Sequence, residues 1–272
     1  MKVIDFRVRP PTNEYKASFE GLSARMGLKM PDVWSKSSMQ DCVAEMDKHN
    51  IVGVVEGRKI PPPISNEHLK WIVDEYPEKF IPIAGIDPTN RRECQHEINR
   101  AVKEFGVRGI ACDQGLLEPP LLPNDRRLYP IYAQCEDMGI FISLRLGPLA
   151  ADDISYCSPI PVDQVARDFP SLRIAITHGG WPFIDDLFAI IEKRSNVWFC
   201  PDIFQFKPGG NRYVEAVNLG GRVQERYLYG SAYPIGFGLS ATLQAWKRLP
   251  WKEDVLEKLL YKNACELLRL NI

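Results

Sequence analysis

Eight short runs rich in β-branched residues alternate with stretches of helical spacing along the whole of this chain. The runs cover residues 2–8, 51–56, 80–86, 107–113, 140–146, 173–177, 197–200 and 226–230. Such alternation predicts parallel strands joined by right-handed crossovers, an α/β class with helices outside the sheet. Eight units in 272 residues predict a closed (β/α)8 TIM barrel, formed as a single domain over residues 1–272. The competing arrangement is an open doubly wound sheet. A dinucleotide-binding version would carry G-x-G-x-x-G after its first strand, where this chain reads Arg7-Val8-Arg9-Pro10-Pro11.

Charge and apolar content narrow the function classes. The 34 Lys+Arg against 35 Asp+Glu leave no basic excess for a nucleic-acid partner. No apolar run approaches the roughly 18 residues of a membrane span, so no membrane partner is expected. The opening Met1-Lys2-Val3-Ile4-Asp5 has no h-region of a secretory signal. Seven cysteines without a C-x-x-C pair suit a reducing compartment, so a cytoplasmic location is expected.

Barrels of this kind carry their chemistry at the C-terminal ends of the strands. Side chains alternate along a strand, which puts Asp5, Arg7 and Arg9 on one face of the first. Other predicted strand ends read Glu56-Gly57-Arg58, Ala111-Cys112-Asp113, Ser143-Leu144-Arg145, Thr177-His178-Gly179-Gly180 and Gly230-Ser231-Ala232-Tyr233-Pro234. Long connections at 10–37 and 114–124 fall on the same face, either as walls of a site or as tolerated loops.

In their order and spacing these motifs resemble the amidohydrolase superfamily, in the branch that includes decarboxylases of the aminocarboxymuconate-semialdehyde type. The resemblance rests on Ile4-Asp5-Phe6-Arg7-Val8-Arg9, where the family reads I-D-x-H-x-H, and on Thr177-His178-Gly179-Gly180. It rests also on Gly230-Ser231-Ala232-Tyr233-Pro234, where the family reads G-S-D-x-P, and on the closing Asn263-Ala264-Cys265-Glu266-Leu267. It implies an amidohydrolase-like barrel, hydrolase or decarboxylase chemistry, and a homo-oligomer. It also implies a divalent metal at the positions that are here Arg7, Arg9, Arg145, His178 and Ala232. Guanidinium is always protonated and offers only donors, so it does not ligate a cation. Three of the four histidines, His49, His68 and His96, fall on predicted helices or helix edges, away from strand ends. No cofactor is therefore expected. The alternative is a relocated zinc site joining His178 to Asp113, Cys112, Cys200 or Asp202; the competing reading of the cysteines is small buried hydrophobes.

Arg7, Arg9, Arg145 and Arg58 are expected to converge on the barrel mouth. Buried cations need counter-charges. Internal candidates are Asp5, Glu56 and Asp113; the external one is a small carboxylate-bearing substrate, gripped bidentately. His178 is the candidate acid/base, oriented by Asp113 or Asp202. Trp181 and Tyr233, with Tyr156, Phe204, Phe206 and Phe237, are candidates to line a pocket. Gly179-Gly180 and Gly236-x-Gly238 are candidate anion-binding turns. Ser231 lacks a G-x-S-x-G elbow and reads as packing or a cap, not as a nucleophile. The expected function is a hydrolase or carboxy-lyase acting without the family's metal on a small carboxylated substrate such as a lactone or unsaturated acid. The alternatives are a catalytically silent barrel that binds an anionic metabolite and a metalloenzyme with relocated ligands.

Overall fold

The computed structural model describes residues 1–25, 27, 36–234 and 238–271. Seven parallel strands run in sequence order: β1 (Val3–Asp5), β2 (Ile51–Glu56), β3 (Phe80–Gly85), β4 (Gly109–Cys112), β5 (Phe141–Arg145), β6 (Ile174–Thr177) and β7 (Val197–Cys200). The eighth predicted strand is a correction. The helix Gly221–Arg226 runs up to its start, and residues 227–234 are too irregular to form a full ladder. This segment nevertheless closes the barrel. Leu228 N donates to Phe199 O of β7 (2.8 Å), and Phe6 N beyond β1 donates to Tyr229 O (2.9 Å). Parallel bridges link Tyr227 to Phe199 and Tyr233 to Val8. The ladder breaks at Ser231, whose N–H turns to the Asp5 carboxylate (2.8 Å), and at Ala232, whose φ of 53° leaves the extended region.

Strand alternation divides the core in two. Ile4, Val54, Ile83, Ala111, Phe141, Ala175 and Trp198 fill the barrel interior. Their neighbours Val3, Val55, Ile110, Ile142, Ile174 and Val197 pack outward under the helices. This period of two, buried on both faces, is what a parallel sheet wrapped in helices requires.

The long connection after β1 is not merely a loop. Its first part forms the helix Asn13–Arg25, which buries Tyr15 and Phe19 four residues apart on one face. Ser38 then caps the helix Met39–His49 through a reciprocal pair with Asp41. The connection after β4 opens with the short turn Gln114–Leu116. No described helix is long and apolar enough to cross a membrane.

Candidate active site

At the C-terminal ends of the strands, guanidiniums and carboxylates alternate in one unbroken sequence that ends at His178. Arg58 Nε lies 3.3 Å from Asp113 Oδ2, and the other Asp113 oxygen pairs with Arg145 Nη1. Arg145 Nη2 is 3.0 Å from Glu56 Oε2, which also takes Arg7 Nη1. Arg7 Nε sits 3.4 Å from Asp202 Oδ2, and that oxygen is 2.9 Å from His178 Nδ1. All seven residues are buried. Glu56 is the hub, because its second oxygen accepts the Ser143 hydroxyl at 2.8 Å. Gly230 makes room for Arg7: a Cβ there would stand 3.0 Å from Arg7 Cγ and 2.5 Å from Cys200 Sγ.

Burial would raise the Glu56 carboxyl, but Arg7 and Arg145, with the Ser143 hydrogen bond, hold it well below the usual range. Asp113 is likewise lowered by Arg145 and Arg58 against burial, and Asp202 by His178 and Arg7. Asp5 behaves oppositely. Burial pushes its carboxyl up, and it accepts the backbone amides of Arg7 and Ser231 instead of joining an ion pair.

Arg9 stands outside the sequence of pairs. It is 5% exposed and makes no ion pair among the described residues. Its contacts are the Tyr233 carbonyl at 3.4 Å and the Phe19 ring, whose centroid is 4.8 Å from its guanidinium carbon. Burial and the nearby Arg7 push it down to about 9. Arg58 is pushed down to about 10, chiefly by burial, and its Nη1 is buried without a hydrogen-bond partner. Arg7, Arg9, Arg58 and Arg145 line one cavity with Glu56 and Phe19. Its volume of about 10 Å³ is room for a single small group.

His178 and Asp202 both hold left-handed backbone, at φ 66° and 46°. For residues other than glycine this conformation costs about 1–3 kcal/mol, and such positions gather at functional sites. Burial pushes the His178 pKa below its usual value, while Asp202 opposes the shift. Nδ1 lies 2.9 Å from Asp202 Oδ2, so a neutral ring that keeps its proton on Nδ1 leaves Nε2 as the acceptor.

A family profile described as Amidohydrolase matches residues 17–270. The chain belongs to the amidohydrolase family. It is 24% identical over 242 residues to the 2-amino-3-carboxymuconate-6-semialdehyde decarboxylase of Dictyostelium discoideum, covering 76% of this chain and 66% of that protein. It therefore spans just under two thirds of that relative's length. An uncharacterized TIM-barrel protein from Bordetella bronchiseptica superimposes with a TM-score of 0.89 at 31% identity, covering 99% of both chains. A probable 2-pyrone-4,6-dicarboxylic acid hydrolase from Acinetobacter baumannii, solved with citric acid bound, gives 0.72 at 18% identity, covering 99% of this chain and 100% of that one. At that identity the likeness establishes the fold.

For an amidohydrolase, the donors at the metal positions do not fit a divalent cation. Arg7 and Arg145 point their forks at carboxylates, Arg9 offers only N–H groups, and Ala232 has no donor atom. Relocated ligands do not assemble either. Asp113 is held by two arginines, away from the His178–Asp202 pair, and burial drives the Cys112 and Cys200 thiols well above their usual pKa. Among the described residues no three His, Cys, Asp or Glu side chains are grouped to hold a metal.

Of the two carboxylates proposed to orient His178, Asp202 is the one in contact. Trp181 lies outside the arginine cavity; its indole N–H bonds the Pro208 carbonyl at 3.0 Å, and its ring stacks on Phe204, which meets His178 edge-on. Tyr233 gives its carbonyl to Arg9, while its hydroxyl lies 3.4 Å from Ser37 Oγ. Ser231 Oγ accepts the Tyr233 amide, a turn-stabilising contact. Tyr156 sits half-buried in the turn Ile154–Cys157, and Phe206 packs against the outer core. Gly179 approaches the Tyr213 hydroxyl, leaving no room there for a side chain. Phe237 and Gly236 lie outside the described residues. Tyr15 and Phe19 were not singled out from sequence, although their spacing of four in an otherwise polar stretch is the signal of a buried helical face.

Proposed function

We propose that this amidohydrolase is a hydrolase or carboxy-lyase that acts on a small carboxylated substrate, a lactone or unsaturated acid, without a metal at the family's ligand positions. The observation that carries this reading is Arg9, a buried cation with no carboxylate within ion-pair distance among the described residues. Burying an unpaired charge is expensive, and a substrate carboxylate removes that expense while gaining charge-assisted hydrogen bonds. Arg58 Nη1, buried without a hydrogen-bond partner, is a further donor to the same group. Arg7 and Arg145 are already neutralised, so they fix the shape and potential of the site.

His178 is the proton-transfer group. Its Nε2 accepts a proton from water or substrate, and the imidazolium formed is stabilised by Asp202. Asp113 is a positioning residue that fixes Arg145 and Arg58. The small cavity receives the carboxylate of the substrate, not its body. The names of the decarboxylase and hydrolase relatives support this choice of substrate class and reaction.

The test is a screen of carboxylated lactones and unsaturated acids against chelator-treated protein. Wild-type turnover is expected to fall by about 10²- to 10⁴-fold in His178→Ala. In Arg9→Gln a raised KM is expected. Carboxylate binding that depends on Arg9 but never leads to turnover would replace the enzyme with a silent binder. Activity that appears only on adding a divalent metal would overturn the metal-free reading.

A further inference from the structure

Four guanidiniums meet at the arginine cavity, and their partners are unevenly shared. Arg7, Arg58 and Arg145 each pair with one or two of Glu56, Asp113 and Asp202. Asp5 accepts the backbone amides of Arg7 and Ser231 and makes no ion pair among the described residues. Among the described residues Arg9 is the one of the four with no carboxylate within ion-pair distance. The space beside Arg9 and Arg58, which Glu56 also lines, holds about one water-sized group. Phe19 lies over both guanidiniums, 4.8 Å from Arg9 and 5.2 Å from Arg58, and walls off this space.

We propose that the cavity bounded by Arg9, Arg58 and Phe19 is a binding site for one small monovalent inorganic anion of chloride size, which competes there with the substrate's carboxylate. The proposal rests on the reading of Arg9 as an anion-binding group and adds a ligand class to it. Where relatives would hold a cation among histidines, this chain has inverted the sign of the centre. Donor chemistry and size together select the occupant. A sulfate or phosphate would exceed the volume. A halide fits it, with Arg9 Nη and Arg58 Nη1 as donors.

The experiment uses the full chain. Crystals soaked in sodium bromide are measured at the bromine edge, and chloride binding in solution is followed by ³⁵Cl NMR line broadening. An anomalous peak between Arg9 and Arg58 is expected. Excess broadening is expected to be reversed by formate but not by sulfate at matched ionic strength. Arg9→Gln is expected to weaken chloride binding by about tenfold or more, the loss of a charge-assisted contact. Arg9→Lys, which keeps the charge but loses the fork, serves if the glutamine variant does not fold; an intermediate affinity is expected.

Equal broadening in wild type and variants, or a peak only at the surface, would mean an adventitious ion only and overturn the site. Formate protection that depends on Arg9 without any halide effect would overturn this proposal and leave the carboxylate reading standing. Loss of both would overturn both.

Discussion

Arg145 and Arg9 line the same cavity and are equally hidden, at 4% and 5% exposure, yet their surroundings are opposite. Arg145 is gripped by Glu56 on one side and Asp113 on the other, and these carboxylates raise its pKa despite burial. Arg9 has a carbonyl and an aromatic face. Arg145 is thus charge-paired on both sides, and Arg9 is not. A paired network of this kind is scaffold that holds side chains in register. An unsaturated cation beside it is where a ligand gains most. The difference separates structural arginines from functional ones without reference to any substrate.

The largest expected effect breaks the paired network. Glu56→Gln leaves Arg7 and Arg145 short of a shared counter-charge, and removing one partner of a buried pair costs about 3–5 kcal/mol. Chemical denaturation reads this directly. The pH dependence carries the same signature. Because the Glu56 carboxyl is depressed on folding, its stabilisation is complete above the ordinary value of 4.5 and is lost as pH falls below it. Asp113 and Asp202 add to the same acid limb below 3.8. Glu56→Gln should flatten the upper part of that limb. An unchanged acid profile would mean that Glu56 is not the hub.

Arg9→Gln is expected to have the smaller effect on stability. The substitution removes an unpaired buried cation, so the variant should lie within about 1 kcal/mol of wild type or above it. A loss as large as that of Glu56→Gln would erase the contrast between the two arginines and place an unseen counter-charge beside Arg9.

Much of this arrangement was legible in the sequence. Strand alternation located the barrel, and the strand ends supplied Arg7, Arg58, Asp113, Arg145, His178 and Asp202, all now in one network. What could not be read was which charge meets which. Arg7 and Glu56 lie 49 positions apart and Arg145 and Glu56 lie 89, and such contacts depend on strand register, not on local pattern. Asp113 and Asp202 looked equivalent as partners for His178 until the barrel put β6 beside β7 and gave Asp113 to the arginines. Asp5 looked like a counter-charge, yet the irregular closing segment at Ser231 claims it for a backbone amide. The eighth strand was over-read because the apolar and aromatic character of Tyr227, Leu228 and Tyr229 reports burial, while the preceding helix takes Arg226 and the ladder breaks at Ser231.

The central claim is that arginines have taken over the metal's place. Metal content by ICP-MS, on protein purified without chelator after growth with added zinc or manganese, tests it most directly. The expected result is only trace metal, with carboxylate binding intact. Near-stoichiometric metal in the wild type would contradict the claim.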